Sequence, residues 1–189
     1  TFTTDSGLLT IGANAFQETA LTSISIPASV TAIGTSAFYR CRSVASITFT
    51  TDSGLLTIGA NAFQETAITY IIIPASVTSI GNEAFKNVTS LTSVTFIEST
   101  DWATGITIGS NAFQTTTALA TVFIKNGQKI NGTANTTGFT GGLSGHSGSI
   151  DYKSYEIAGS GVFGTSDYTG AGSPPYAILT GWTSIDNSA

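Results

Sequence analysis

Apolar side chains recur along this chain in two alternating patterns. One is a trio spaced i, i+3, i+5: Leu21, Ile24 and Ile26, then Val44, Ile47 and Phe49, then Ile68, Ile71 and Ile73. It returns as Leu91, Val94 and Phe96, and as Leu119, Val122 and Ile124. The last two members of each trio flank one outward residue. This predicts a short strand with alternate side chains inward and one anchoring residue ahead of it. β-Branched and aromatic residues fill these positions, as a pleated surface favours. Pro27 and Pro74 follow Ile26 and Ile73 and should end the ladder, having no N–H to donate.

The other pattern is Ile-Gly-x-x-Ala-Phe. It occurs at Ile11–Phe16, Ile33–Phe38, Ile58–Phe63, Ile80–Phe85 and Ile108–Phe113, with gaps of 22, 25, 22 and 28 residues. The Gly is expected to permit a tight turn at positive φ. The Ala lets coils pack closely, and the five Phe rings should form an internal spine. Two such coils make one larger unit: Thr1–Ala20 recurs unchanged at Thr48–Ala67, an offset of 47. A looser third copy begins at Thr95-Phe96. Periods of this length are the signature of a solenoid, in which no coil buries its apolar face alone.

The run Leu-x-x-Ile-x-Ile-Pro-x-Ser-Val-x-x-Ile-Gly-x-x-Ala-Phe, at Leu21–Phe38 and with Ile first at Ile68–Phe85, resembles the BspA-type leucine-rich repeat. The resemblance covers about Phe2 to Lys125. In that family a Cys often follows the Phe, and Cys41 stands there, while Thr19, Thr66, Val88 and Thr116 hold the place elsewhere. The resemblance implies a repeat solenoid with a parallel sheet on its concave face. It also implies a place on or outside a microbial cell and a general role in binding or adhesion, with no catalytic residues.

With the inward residues assigned, the outward ones follow: Ser23 and Ser25, Ser46 and Thr48, Tyr70 and Ile72, Ser93 and Thr95, Thr121 and Phe123. Hydroxyl ladders that merely solvate the sheet account for most of this uncharged stripe. Tyr70, Ile72 and Phe123 stand out as candidate contacts on the concave face.

Composition narrows the partners. Only 9% of the 189 residues are charged, 41% are hydrophobic, and the net charge is −5 with six Lys plus Arg. No basic patch can follow a phosphate backbone, which sets nucleic acid aside. No run of apolar residues is long enough for a transmembrane helix. The single cysteine excludes an internal disulfide and reads as a small core residue, although Arg40 and Arg42 flank it. Asp5 and Asp52, each in Thr-Thr-Asp-Ser-Gly, suit an Asx turn better than a calcium site. His146 lacks a second metal ligand, and Ser144-x-His146 lacks a nucleophile-elbow context. No catalytic set, cofactor or metal site is therefore expected. Sequons at Asn87, Asn131 and Asn135 carry weight only in a eukaryotic secretory route.

Residues 1–125 are read as a five-rung solenoid. The longer third gap places a loop around Trp102, which either covers the core or makes an exposed contact. Residues 126–150, rich in Gly, Thr, Asn and Ser, read as a linker. The aromatic-containing segment beyond it, with strand candidates Tyr152–Ile157 and Tyr176–Thr183, reads as a cap or an assembly element. The chain begins inside a strand at Phe2, without Met, as a processed or trimmed form would, and its first rung has no cap. The expected role is an extracellular or cell-surface binding or adhesion protein taking a protein or glycan ligand. The alternative is a structural subunit of an extracellular filament or sheath, joined head to tail with further copies of itself through Phe2, Tyr176 and Trp182.

Overall fold

The computed structural model describes residues 7–50, 52–97 and 105–125, together with 129–130, 133–134, 145–146, 151–155, 163–164 and 185–186. The first three spans form a right-to-the-pattern solenoid in which each coil contributes to two parallel sheets. The longer strands carry the predicted trios: β2 (Ser23–Ile26), β4 (Ser46–Phe49), β6 (Tyr70–Ile73), β8 (Ser93–Phe96) and β10 (Thr121–Lys125). The second sheet consists of two-residue strands ending on the signature Ile: β1 (Thr10–Ile11), β3 (Ala32–Ile33), β5 (Thr57–Ile58), β7 (Ser79–Ile80) and β9 (Thr107–Ile108). They pair in the order β1-β3-β5-β7-β9, each coil with the next. This second strand per coil was not expected from the periodicity, because two residues are too few to show alternation.

The signature glycine corrects another expectation. None of Gly12, Gly34, Gly59, Gly81 or Gly109 has φ in the left-handed region. What the site requires is close backbone approach. A Cβ built on Gly59 would lie 2.6 Å from the carbonyl carbon of Gly34, and one on Gly81 2.5 Å from the Ala60 nitrogen. Positive φ falls two residues later, at Asn14, Ser36, Asn61, Glu83 and Asn111, and again at Glu18, Arg40, Glu65, Asn87 and Thr115, all between 56° and 60°. Between these bends alternate N–H groups point along the solenoid. Ser36, Phe38 and Arg40 donate to the carbonyls of Ala60, Ala62 and Gln64 in the next coil, at 2.9, 2.8 and 2.9 Å. The backbone is thereby satisfied without a helix.

The Phe spine forms as expected. Phe16, Phe38, Phe63, Phe85 and Phe113 stack with centroids 5.2, 5.4, 5.3 and 5.0 Å apart and nearly parallel rings. The last four are fully buried, and Phe16 is half-buried at the end of the stack. Full burial of each ring contributes roughly 1.5–3 kcal/mol. Cys41 is buried, and its thiol donates to the Phe16 carbonyl at 2.8 Å. Thr66 and Thr116 hold the equivalent place by donating to the carbonyl three residues back, at 2.8 and 2.7 Å, which explains why Thr substitutes for Cys. The flanking Arg40 and Arg42 turn outward to Glu65, at 3.3 and 2.8 Å.

Three short pieces after Lys125 bear on the last coil. Ile130, in β11 (Lys129–Ile130), bridges to Ile106. Strand β13 (Asp151–Tyr155) pairs parallel with β10 over five residues. Gly145 and His146 lie against the turn of the fifth signature: a Cβ on Gly145 would meet the Asn111 Cα at 2.6 Å, and His146 Nδ1 lies 3.0 Å from Thr116 Oγ1. Phe2, Trp102, Tyr176 and Trp182 lie outside the described residues.

Candidate functional site

The longer-strand sheet is not continuous. β2 pairs β4 in register, and β6, β8, β10 and β13 form a second ladder, but no ladder joins β4 to β6. The last backbone bond between them, Thr69 N–H to the Ala45 carbonyl, is stretched to 3.4 Å. The cause is visible in the bonds at the other junctions. The residue after each strand normally donates to the end of the preceding strand: Thr50 N–H to Ile26 O, and Ile97 N–H to Ile73 O, both 3.0 Å. Between β4 and β6 the corresponding donor would be Pro74, which has no N–H. The ladder is open there, and Phe49, unlike Ile26, Ile73 and Phe96, is only half-buried.

A cavity of about 230 Å³ occupies the opening. Its lining includes Phe49, Thr50, Asp52, Tyr70, Ile72 and Ile97. The loop that forms one wall is fastened to both neighbouring coils. Gly54 N–H donates to Ala28 O at 2.9 Å, and the Ser76 hydroxyl donates to the carbonyls of Ser53 and Leu55 at 2.8 and 2.7 Å. Asp52 takes φ 57°, and the turn is closed by Leu55 N–H donating to Ser53 Oγ at 3.4 Å. The Ser hydroxyl therefore serves in place of the expected Asx contact, and the Asp52 carboxylate stays at the exposed rim of the cavity. The Thr50 hydroxyl oxygen is buried and has no hydrogen-bond partner.

Of the three residues singled out on this face, Tyr70 and Ile72 lie together on the cavity wall, both half-buried. Phe123 is elsewhere and corrects the expectation of an exposed contact: it is 8% exposed, in register with Thr95, itself 3% exposed. The outward row closes over at this end of the sheet, where β13 adds a further strand beside β10. Outward direction was legible from alternation, but the neighbour that covers it was not. Thr50, Asp52 and Ser53 were missed as wall residues, because the opening is a property of the junction. Its signals in the sequence were Pro74 and the gap of 25 residues that precedes Ile58.

Among the described residues no three His, Cys, Asp or Glu side chains gather as a metal site, and no helix is long and apolar enough to cross a membrane. His146, the residue closest to a catalytic type, is engaged with Thr116.

With this geometry in place, the family assignment follows. The chain belongs to the BspA-type leucine-rich repeat family, whose model matches six copies over residues 9–136. The match runs past Lys125, in keeping with the contact of Ile130 on the last coil. Among solved structures, the fold is similar to that of the pneumococcal vaccine antigen PcpA, at 24% identity and a TM-score of 0.56, covering 65% of this chain and 32% of that one. A leucine-rich cell-surface protein of Faecalibacterium prausnitzii matches at 25% identity and a TM-score of 0.36, over 61% of this chain and 42% of that one. A leucine-rich repeat protein of Bacteroides ovatus matches at 19% and 0.23, over 65% and 54%. The chain thus spans about a third of the length of the pneumococcal antigen. No curated protein sequence matches it.

Proposed function

We propose that this chain is a non-catalytic binding module of an extracellular or cell-surface protein, engaging a protein or glycan ligand through the longer-strand sheet. The observation that carries the reading is the opening in that sheet, where Tyr70 and Ile72 line a cavity in an otherwise hydroxyl-covered, uncharged face. Solenoids use such extended faces for recognition. Aromatic side chains at a recess are the usual anchors of a binding surface. Membership of the BspA-type family supports display outside the cell. The test is binding of the full chain to intact cells and to immobilised extracellular-matrix glycoproteins. Saturable binding that the Tyr70→Ser/Ile72→Ser variant loses supports the reading. No saturable binding, or binding unchanged in that variant, removes this face from it.

One observation favours the second reading, end-to-end assembly. Coils one and three share their sequence through Ala20 and Ala67, yet Phe63 is fully buried and Phe16 is not. The carbonyls of Ala60, Ala62 and Gln64 accept bonds from coil two, whereas those of Ala13, Ala15 and Gln17 have no donor among the described residues. The first coil therefore offers a face that another coil of the same kind fits. Polymers that lengthen with protein concentration in electron micrographs, and that Phe16→Asp abolishes, would establish assembly. A concentration-independent monomer would refute it.

A further inference from the structure

We propose that the cavity between β4 and β6 is a subsite for a single pyranose ring of a glycan. The proposal deepens the binding reading above and rests on it for the choice of face.

Size sets the first limit. About 230 Å³ is below the ~300–1,000 Å³ of pockets that hold drug-sized ligands, so the occupant is one ring or one side chain. Charge sets the second. Asp52 is the charged residue of the lining and there is no cation in it, which disfavours phosphate, sulfate or a carboxylate sugar.

The polar groups then choose between a neutral polyol and a basic side chain. Thr48, Thr50 and Ser53 place hydroxyls around the cavity, opposite Tyr70, Ile72 and Ile97. A hydroxyl is both donor and acceptor. A lysine or arginine brings donors only, so it would satisfy Asp52 and leave the hydroxyl protons without acceptors. A sugar hydroxyl both donates and accepts. It can complete the buried, unpartnered Thr50 oxygen, while a second donates to the Asp52 carboxylate. An unsatisfied buried hydroxyl is costly unless something completes it. The C–H face of a pyranose is apolar and suits the Tyr70 ring and the Ile72 side chain. Orientation of the ring thus follows from having one apolar and one polar wall.

The internal duplication adds an independent observation. Residues 1–31 and 48–78 differ at three positions only: Leu21 against Ile68, Ser23 against Tyr70, and Ser25 against Ile72. The first exchanges one aliphatic side chain for another at the anchoring position. The other two are the cavity's ring and its aliphatic neighbour. The copies are otherwise unchanged over this stretch, Pro27 and Pro74 included, so the divergence is confined to the anchor position and the recess wall.

The experiment is a nuclear magnetic resonance titration of the isotope-labelled full chain. The probes are methyl α-glucopyranoside, methyl α-mannopyranoside, methyl β-galactopyranoside and N-acetylglucosamine, with N-acetyl-lysine methylamide as the basic comparator. At least one sugar should shift the amides of 47–53 and 70–75 saturably in the millimolar range. Tyr70→Ser/Ile72→Ser installs the residues that the first copy already carries in a folded β2, and should weaken that binding by about tenfold or more, as loss of an aromatic anchor does. Thr50→Val, which deletes the unpartnered hydroxyl without reducing volume, should weaken it too while the chain stays folded. The inference is overturned if no sugar gives saturable shifts, if both variants bind as the parent does, or if only the lysine comparator binds. Cell binding without sugar binding would sink the pyranose subsite alone. Sugar binding without cell binding would sink the surface-adhesion reading alone.

Discussion

His146 Nδ1 lies 3.0 Å from Thr116 Oγ1, and that hydroxyl already donates its proton to the Phe113 carbonyl at 2.7 Å. The imidazole must therefore be the donor, which places its proton on Nδ1 and leaves Nε2 bare. Nε2 is buried and has no partner, so a second proton there would have no acceptor. Burial accordingly holds the His146 pKa below its ordinary value of 6.5. A histidine with a depressed folded pKa favours folding most above the unfolded value and loses that contribution as pH falls below it. We expect amide exchange in Asp151–Tyr155 to accelerate below about pH 6.5, and the acceleration to vanish in His146→Gln. Exchange independent of pH after correction for intrinsic rates would show that His146 does not hold this segment.

Phe16 and Phe63 have the same sequence neighbours and different environments. Phe63→Ala should cost about 3–5 kcal/mol, the range for a fully buried ring. Phe16→Ala, at the half-buried end of the stack, should cost distinctly less. Urea denaturation followed by circular dichroism decides this, and equal losses would mean that coil one is covered in solution.

Gly12 and Gly59 make a similar pair. A Cβ on Gly12 meets nothing within 4 Å, whereas one on Gly59 runs into the Gly34 backbone at 2.6 Å. Gly59→Ala should destabilise by about 1–3 kcal/mol through overpacking, and Gly12→Ala should fall within about 0.5 kcal/mol. The ordering of their melting temperatures checks this.

Glu65 receives Arg42 at 2.8 Å and Arg40 at 3.3 Å. The hydrogen bond from Arg42 is the main cause holding its carboxyl below the usual range, with the charges of both arginines acting in the same direction. The contribution is present above the unfolded carboxylate pKa near 4.5 and is lost as pH falls through the depressed folded value. Glu65→Gln should therefore matter at neutral pH and become silent in strong acid. Added salt should shrink the difference, because these pairs lie at the surface. A stability gap that persists at low pH would assign the effect to packing instead.

Most of the solenoid was legible because its determinants are local and repeated. The trios gave the longer strands and the inward Ile and Phe residues, and the signature gave the Phe stack. What escaped was set between coils. The glycines are required by the neighbouring backbone and not by their own torsion angles. Phe123 points away from the core yet is buried. The cavity exists because Pro74 meets a carbonyl 25 residues earlier, at Phe49, and period counting does not show that pairing. At the third such junction Lys125 replaces proline after Ile124, and there β8 and β10 do pair.

The opening before Pro74 comes with the 47-residue unit and not with the fold as a whole. Lengthening the rod by another Tyr70-bearing unit would therefore install one more recess at a fixed spacing. Weak individual sites become strong together when their separation matches that of the ligand's own repeats. Duplication alone can thus raise avidity, with no change to any single contact.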